Sequence, residues 1–264
     1  MPTRKFGNIV LNYSEKSHGK PKFALLMLHG YGASSRVWKH QLDEFPKLGG
    51  ATIAPDLRGW GDSQKPRDPK QYRLQNYVSD VENLVEELKL KNLVLAGSSM
   101  GGMIAQEFCL DNPNKVSALV LVGTRAKTRT DMPEQIQEVK EEWKKRVRET
   151  VRMSFAHSVK KSLMNLTIRE GEKTTEACAL GSLLGFRNID FENRLTEIKI
   201  PTLIVFGDED QITPTSEGKN LSEKIPHSEF EIIKGAGHLA MLEKPGEFNE
   251  ILRRFLRTHE ILSG

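Results

Sequence analysis

Seven short apolar or β-branched runs recur along the chain, each closed by a turn signal, at residues 9–13, 23–28, 51–54, 92–96, 117–122, 202–206 and 229–233. Several are apolar at every position, the pattern of strands covered on both faces. Amphipathic stretches lie between most of them. Residues 75–90 put Tyr77, Val81, Leu84, Val85 and Leu88 on one stripe, with Glu82, Glu86, Glu87 and Lys89 off it. A helix opening at Met100 is apolar on nearly every face, and one opening at Pro245 turns Phe248, Ile251, Leu252 and Phe255 inward. Strands alternating with helices specify an α/β fold with a mainly parallel sheet.

One region breaks the alternation. Residues 125–197 contain no convincing strand; Met132, Ile136, Val139, Trp143, Val147 and Val151 recur there at helical steps among Lys, Arg and Glu. A more apolar stretch follows at 174–186, with Leu180, Leu183 and Leu184. Both read as helices inserted between two strands, over the sheet edge where the loops gather. A chain of 264 residues buries roughly three quarters of its unfolded surface and needs no disulfide or metal to hold it. Lys+Arg 39 against Asp+Glu 35, a net charge of +4 with the signs interleaved, excludes the concentrated basic patch of a nucleic-acid or membrane-surface protein. The basic start at Arg4 and Lys5 leads into no apolar run, and no run reaches the length of a membrane-spanning helix. Cys109 and Cys178 stand far apart, outside any C-x-x-C or metal-ligand spacing. A soluble cytoplasmic protein with reduced thiols is expected.

Three segments carry chemistry. Gly97-Ser98-Ser99-Met100-Gly101-Gly102 follows a predicted strand and opens a predicted helix. A serine on so sharp a turn needs small residues two places to either side, a condition that Ser99 meets and Ser98 does not. The turn exposes the Ser99 hydroxyl and aims the helix N-terminus at any anion formed there. Gly207-Asp208-Glu209-Asp210 ends the run at 202–206, and Gly235-Ala236-Gly237-His238 ends the run at 229–233. Both lie at the carboxyl ends of strands, where an open α/β sheet presents its working groups. A serine hydroxyl is a weak nucleophile without an imidazole to take its proton and a carboxylate to orient that imidazole. Here the chain order is serine, acid, histidine; Asp208, Glu209 and Asp210 all qualify as the acid on spacing alone.

With these residues in order, the sequence resembles the α/β-hydrolase superfamily along nearly its whole length. His29-Gly30-Tyr31-Gly32 looks like the oxyanion-loop motif, and Asp56-Leu57-Arg58-Gly59-Trp60-Gly61-Asp62-Ser63 like the D-x-R-G-x-G-x-S segment. The elbow, G-x-x-D-x-x-x-P and G-x-G-H segments complete the set. The resemblance implies a mostly parallel eight-stranded sheet flanked by helices, with core residues 1–124 and 198–264 and a helical cap, 125–197, after the sixth strand. It puts the acid four residues before Pro214, at Asp210, and leaves Asp208 as a turn former. It implies a triad of Ser99, Asp210 and His238, with the backbone N–H groups of Tyr31 and Met100 as the oxyanion hole.

The resulting expectation is a serine esterase acting on small to medium uncharged esters through an acyl-enzyme. Tyr31, Leu163, Met164, Leu183 and Leu184 are the expected pocket side chains. His29 reads as a loop-ordering residue, and the remaining histidines have no metal-ligand spacing, so no metal is expected. No dinucleotide or phosphate loop is present, so no cofactor is expected either; a small-molecule ester is the expected partner, with no nucleic acid or membrane, and monomer and homodimer are both open. Related dehalogenases and epoxide hydrolases use Asp where this chain has Ser99, and residues 125–197 hold none of the tyrosines that epoxide hydrolases use. Carbon–carbon bond hydrolases usually carry a Pro-containing glycine loop in place of Tyr31-Gly32-Ala33-Ser34-Ser35. Enol-lactonases and cofactor-free perhydrolases (haloperoxidase-like) keep a closely similar elbow and stand as alternatives, as does a ligand receptor on the same fold.

Overall fold

A computed structural model of the chain describes residues 3–128 and 133–262. Its strands are β1 Thr3–Phe6, β2 Ile9–Lys16, β3 Phe23–Leu28, β4 Gly50–Pro55, β5 Leu93–Ser98, β6 Val116–Val122, β7 Thr202–Gly207 and β8 Ser228–Ile233. They form one eight-stranded sheet in the spatial order β1-β2-β4-β3-β5-β6-β7-β8. β1 and β2 pair antiparallel, as do β2 and β4, and every other pairing is parallel.

Every residue of β3, β4, β5 and β7 is buried. That is why these strands read as continuous apolar runs rather than alternating ones. Helices α1 (Lys39–Glu44), α8 (Ala240–Glu243) and α9 (Pro245–Thr258) cover one face, where Trp38, Phe248 and Phe255 are fully buried. Helices α2 (Leu74–Glu87), α3 (Met100–Asp111) and α7 (Thr215–Lys224) cover the other, around Tyr77, Phe108 and Phe206. The inward stripes of α2 and α9 are those the periodicity predicts.

β1 was not among the expected strands. Of Thr3-Arg4-Lys5-Phe6 only Phe6 is buried, so there is no apolar alternation to detect. Charged side chains of this kind are usual on an edge strand.

Between β6 and β7 lie α4 (Pro133–Met153), α5 (Lys161–Gly171) and α6 (Glu176–Gly185), with one isolated bridge from Lys127 to Asp190. Val139, Val147 and Val151 of the expected stripe are buried; Met132 falls outside the described residues. α4 is not continuous, because Glu142 leaves helical geometry at φ −145° and ψ 63°. Cys109 and Cys178 are free and buried, and burial pushes each thiol up to about 12. Among the described residues no helix is long and apolar enough to cross a membrane.

The register places the working loops together. Leu28 pairs with Gly97, Ser98 with Val122, and Gly207 with Ile233. The loops after β3, β5, β7 and β8 therefore open at the same carboxyl edge of the sheet.

Candidate active site

Ser99 sits between β5 and α3 at φ 53° and ψ −116°. A side chain held there costs about 1–3 kcal/mol and persists only where the surroundings over-determine it. They do. The Ser99 N–H donates to the Val122 carbonyl at 2.9 Å, and the Ser99 carbonyl accepts from Gly102 N–H at 2.9 Å and the Thr124 hydroxyl at 2.8 Å. A Cβ on Gly97 would lie 2.2 Å from the Gly101 carbonyl oxygen, and one on Gly101 would lie 2.4 Å from that of Leu28. Those approaches are why glycine occupies both positions.

Of the three adjacent carboxylates, one contacts the histidine. Asp210 Oδ2 lies 2.7 Å from His238 Nδ1, with the Asp210 side chain fully buried and His238 4% exposed. The other oxygen, Oδ1, accepts the N–H groups of Ile212 and Thr213, each at 2.8 Å. Arg125 steadies this loop by donating to the Ile212 carbonyl at 2.8 Å and the Thr213 hydroxyl at 3.1 Å. Asp208 turns the other way and accepts the Gly235 N–H at 2.6 Å, while Glu209 accepts the His157 N–H at 3.1 Å. Of the three adjacent acids only Asp210 meets the histidine.

His29 is fully buried, its Nδ1 2.8 Å from the Gly30 carbonyl and its Nε2 accepting the Leu57 N–H at 2.9 Å. Those partners place the proton on Nδ1 and leave the ring neutral. Burial lowers its pKa, against smaller opposing effects of Asp56 and the Gly30 carbonyl. His29 therefore orders the loop. The bonds of this loop leave the Tyr31 N–H without a protein acceptor among the described residues. Met100 occupies the first position of α3, where a helix has no partner for its N–H. The Tyr31 ring packs edge-on against Trp60 at 4.8 Å, and its hydroxyl donates to the Ala179 carbonyl at 3.4 Å.

The Asp56–Ser63 segment is a brace. Asp56 accepts Asn12 Nδ2 at 2.7 Å, Ser35 N–H at 2.8 Å and Asp62 N–H at 2.9 Å. Burial alone would raise its pKa, but the N–H groups of Asp62 and Ser35 help hold it below the usual 3.8. Arg58 forms a buried two-pronged pair with Asp80, at 2.6 and 2.5 Å.

Ser99, His238, Tyr31 and Met100 all face one cavity of about 730 Å³. Tyr31 and Leu183 of the expected pocket side chains line it. The other three do not. Leu163 borders a separate groove of about 350 Å³ beside Arg36 and Leu242. Met164 is partly buried against a core cluster that includes Val147 and Ile168 of the inserted helices. Leu184 is absent from the lining because one helical step past Leu183 turns it by about 100°. In their place the wall carries polar groups that the sequence reading missed, among them Arg125, Lys127, Arg146 and Thr150. The available signal was a polar row, Arg146, Thr150 and Ser154, at four-residue steps beside the apolar stripe of α4.

This fold and this set of loops define an α/β-hydrolase. The family model described as Serine aminopeptidase, S33 (Hydrolase_4) matches residues 19–245, and the chain belongs to that hydrolase family. The AB hydrolase superfamily protein YisY of Bacillus subtilis is 28% identical over 94% of this chain and 96% of its own length. Among solved structures, an esterase from Exiguobacterium antarcticum aligns with a TM-score of 0.85 and 25% identity over 95% of this chain and 96% of its own. A bromoperoxidase from Bacillus anthracis aligns at 0.87 and 27% identity, over 97% and 99%.

Proposed function

We propose that this chain is a carboxylic ester hydrolase that works through an acyl-enzyme on Ser99, Asp210 and His238. The observation that carries the reading is the buried His238–Asp210 contact of 2.7 Å facing the same cavity as the strained Ser99. The similarity to the Exiguobacterium esterase supports it.

In this reading His238 Nε2 takes the Ser99 proton as the hydroxyl attacks the ester carbonyl. Asp210 holds the proton on Nδ1 and stabilises the imidazolium. The N–H groups of Tyr31 and Met100 donate to the developing oxyanion, each worth on the order of 10²–10³ in rate. His238 then protonates the leaving alcohol, and water resolves the acyl-enzyme by the same steps in reverse order. No cofactor takes part. Residues 125–197 act as a cap over a core made of 1–124 and 198–264, and the cap shapes the substrate cavity.

The test is hydrolysis of p-nitrophenyl esters from acetate to decanoate, with Ser99→Ala alongside. Turnover that peaks at one chain length and falls roughly 10⁶-fold in the variant is expected. Equal turnover in both proteins refutes the nucleophile. A perhydrolase is the second reading, favoured by the similarity to the Bacillus anthracis bromoperoxidase. Peracid formation from acetate and peroxide without ester turnover would select it. Saturable ligand binding with no turnover at all would select a receptor.

A further inference from the structure

Among the described residues the wall of the cavity carries three Lys or Arg cations, and two of them are engaged. Lys127 Nζ lies 2.7 Å from Asp190 Oδ2, and Arg125 is spent on Ile212 and Thr213. Arg146 is different. Its side chain is only 22% exposed, and its one ion pair reaches out to the exposed Glu138, from Nη1 at 3.3 Å. Its Nε is buried with no hydrogen-bond partner among the described residues. A buried guanidinium N–H without an acceptor is a costly arrangement that a bound oxygen would relieve.

Its position says where that oxygen comes from. Arg146 lies next to Val147 on α4, and Val147 and Val151 pack on Gly32, in the loop that follows β3. The charge of Arg146 is felt by the Tyr31 hydroxyl, where it opposes the upward effect of burial. Arg146 and Tyr31 both line the cavity that Ser99 and His238 share.

We propose that Arg146 is the receptor for a carboxylate carried by the substrate, so that the ester is an acidic one rather than a wholly uncharged one. This rests on the hydrolase reading above. With Nη1 held by Glu138, the Nε–Nη2 edge presents two parallel N–H donors, the geometry that matches the two oxygens of a carboxylate. A polyanion is disfavoured because Glu192 and Glu217 also line the cavity. Glu192 is partly neutralised by Lys224 at 3.4 Å, which leaves the balance suited to a single negative charge.

The test compares matched pairs of esters. One pair is mono-p-nitrophenyl glutarate against p-nitrophenyl pentanoate, for a carboxylate on the acyl side. The other is 4-acetoxybenzoate against 4-methylphenyl acetate, for one on the alcohol side. The wild-type protein is expected to favour the carboxylated member of at least one pair. Arg146→Met should lower that kcat/KM ratio by about 10- to 100-fold, the worth of a hydrogen-bonded charge pair. Arg146→Lys, which keeps the charge and loses the fork, should fall between. An unchanged ratio in Arg146→Met overturns the proposal while leaving the hydrolase intact. If neither pair is turned over, calorimetric titration of Ser99→Ala with monomethyl glutarate decides separately. Saturable binding that disappears in Ser99→Ala with Arg146→Met supports the subsite; binding unaffected by Arg146→Met, or no binding, refutes it.

Discussion

Ser99→Gly is expected to produce an inactive protein that is more stable than its parent. Ser99 is held at φ 53° and ψ −116° by the bonds around the elbow. For a residue with a Cβ this conformation costs about 1–3 kcal/mol, and glycine adopts it without that penalty. Glycine also loosens the unfolded chain, which costs about 0.5–1 kcal/mol of stability. The difference is a net gain near 1 kcal/mol, or about 2–4 °C in Tm for a chain of this size. Ser99→Ala removes the same hydroxyl but keeps the Cβ, so its Tm should stay within about 1 °C of the parent. The assay is scanning calorimetry of the three proteins under identical buffer and scan rate, with ester turnover in parallel. Comparing Gly with Ala cancels the effect of losing the hydroxyl and isolates the backbone. A Ser99→Gly protein that melts with Ser99→Ala or below it would refute the claim that the elbow stores strain at this residue.

Asp210→Asn should lower turnover by about 10³–10⁴-fold, because the amide cannot hold the His238 proton on Nδ1. Asp208→Asn should leave turnover within about threefold; the reverse ranking would reassign the acid. Asp56, whose carboxyl is held below its usual 3.8 by N–H donors that outweigh burial, contributes stability that is present above its unfolded pKa of about 3.9 and is lost as pH falls through the lower folded value. Urea midpoints measured from pH 7 to pH 3 should therefore fall less steeply below about pH 4 in Asp56→Asn than in the parent, and parallel acid limbs would contradict that assignment.

β3, β5 and β7 were readable because they are buried on both faces, which favours continuous apolar runs, whereas β8, before His238, is only partly buried and keeps Glu229 and Glu231. The elbow was readable because crowding at Gly97 and Gly101 leaves no room for a side chain at either position. The choice among Asp208, Glu209 and Asp210 was open on spacing alone, and only the family resemblance, which counts four residues back from Pro214, pointed to Asp210. Adjacent side chains diverge by the turn geometry of a loop, and here only the third reaches the histidine. β1 escaped notice because an edge strand draws its stability from main-chain pairing with β2, to which Arg4 and Lys5 add no apolar signal. α5 was equally hidden: Leu163, Leu166 and Ile168 stand among polar residues, and Leu166 is 41% exposed. The pocket was misjudged in part. Apolar residues of the inserted helices were expected to line the pocket; Val151 and Leu183 do so, beside the polar Arg146 and Thr150, while Leu163, Met164 and Leu184 do not.

That division has a structural basis in how the inserted helices are fastened. Glu243, five residues after His238, accepts the Gly237 N–H at 3.1 Å through Oε1 and the Ala156 N–H at 2.9 Å through Oε2. Glu209, next to Asp210, accepts the His157 N–H at 3.1 Å. The Leu239 N–H donates to the Ser154 carbonyl at 3.2 Å. The segment that follows α4 is thus bonded at Ser154, Ala156 and His157 to Leu239, to Glu243 of α8 and to Glu209. Burial raises the Glu243 pKa, and the neighbouring Glu209 charge adds to this against the N–H donors, so the carboxylate is costly to keep and depends on those donors. On the α4 side the contacts are made by main-chain N–H and C=O groups of residues 154–157, which most residue types other than proline supply alike. Side chains on α4 can therefore change, and with them the lining at Arg146 and Thr150, without disturbing the anchor that sets the roof against the acid–base pair. Substrate preference in such an architecture can vary with the wall while the chemistry beneath it stays in place.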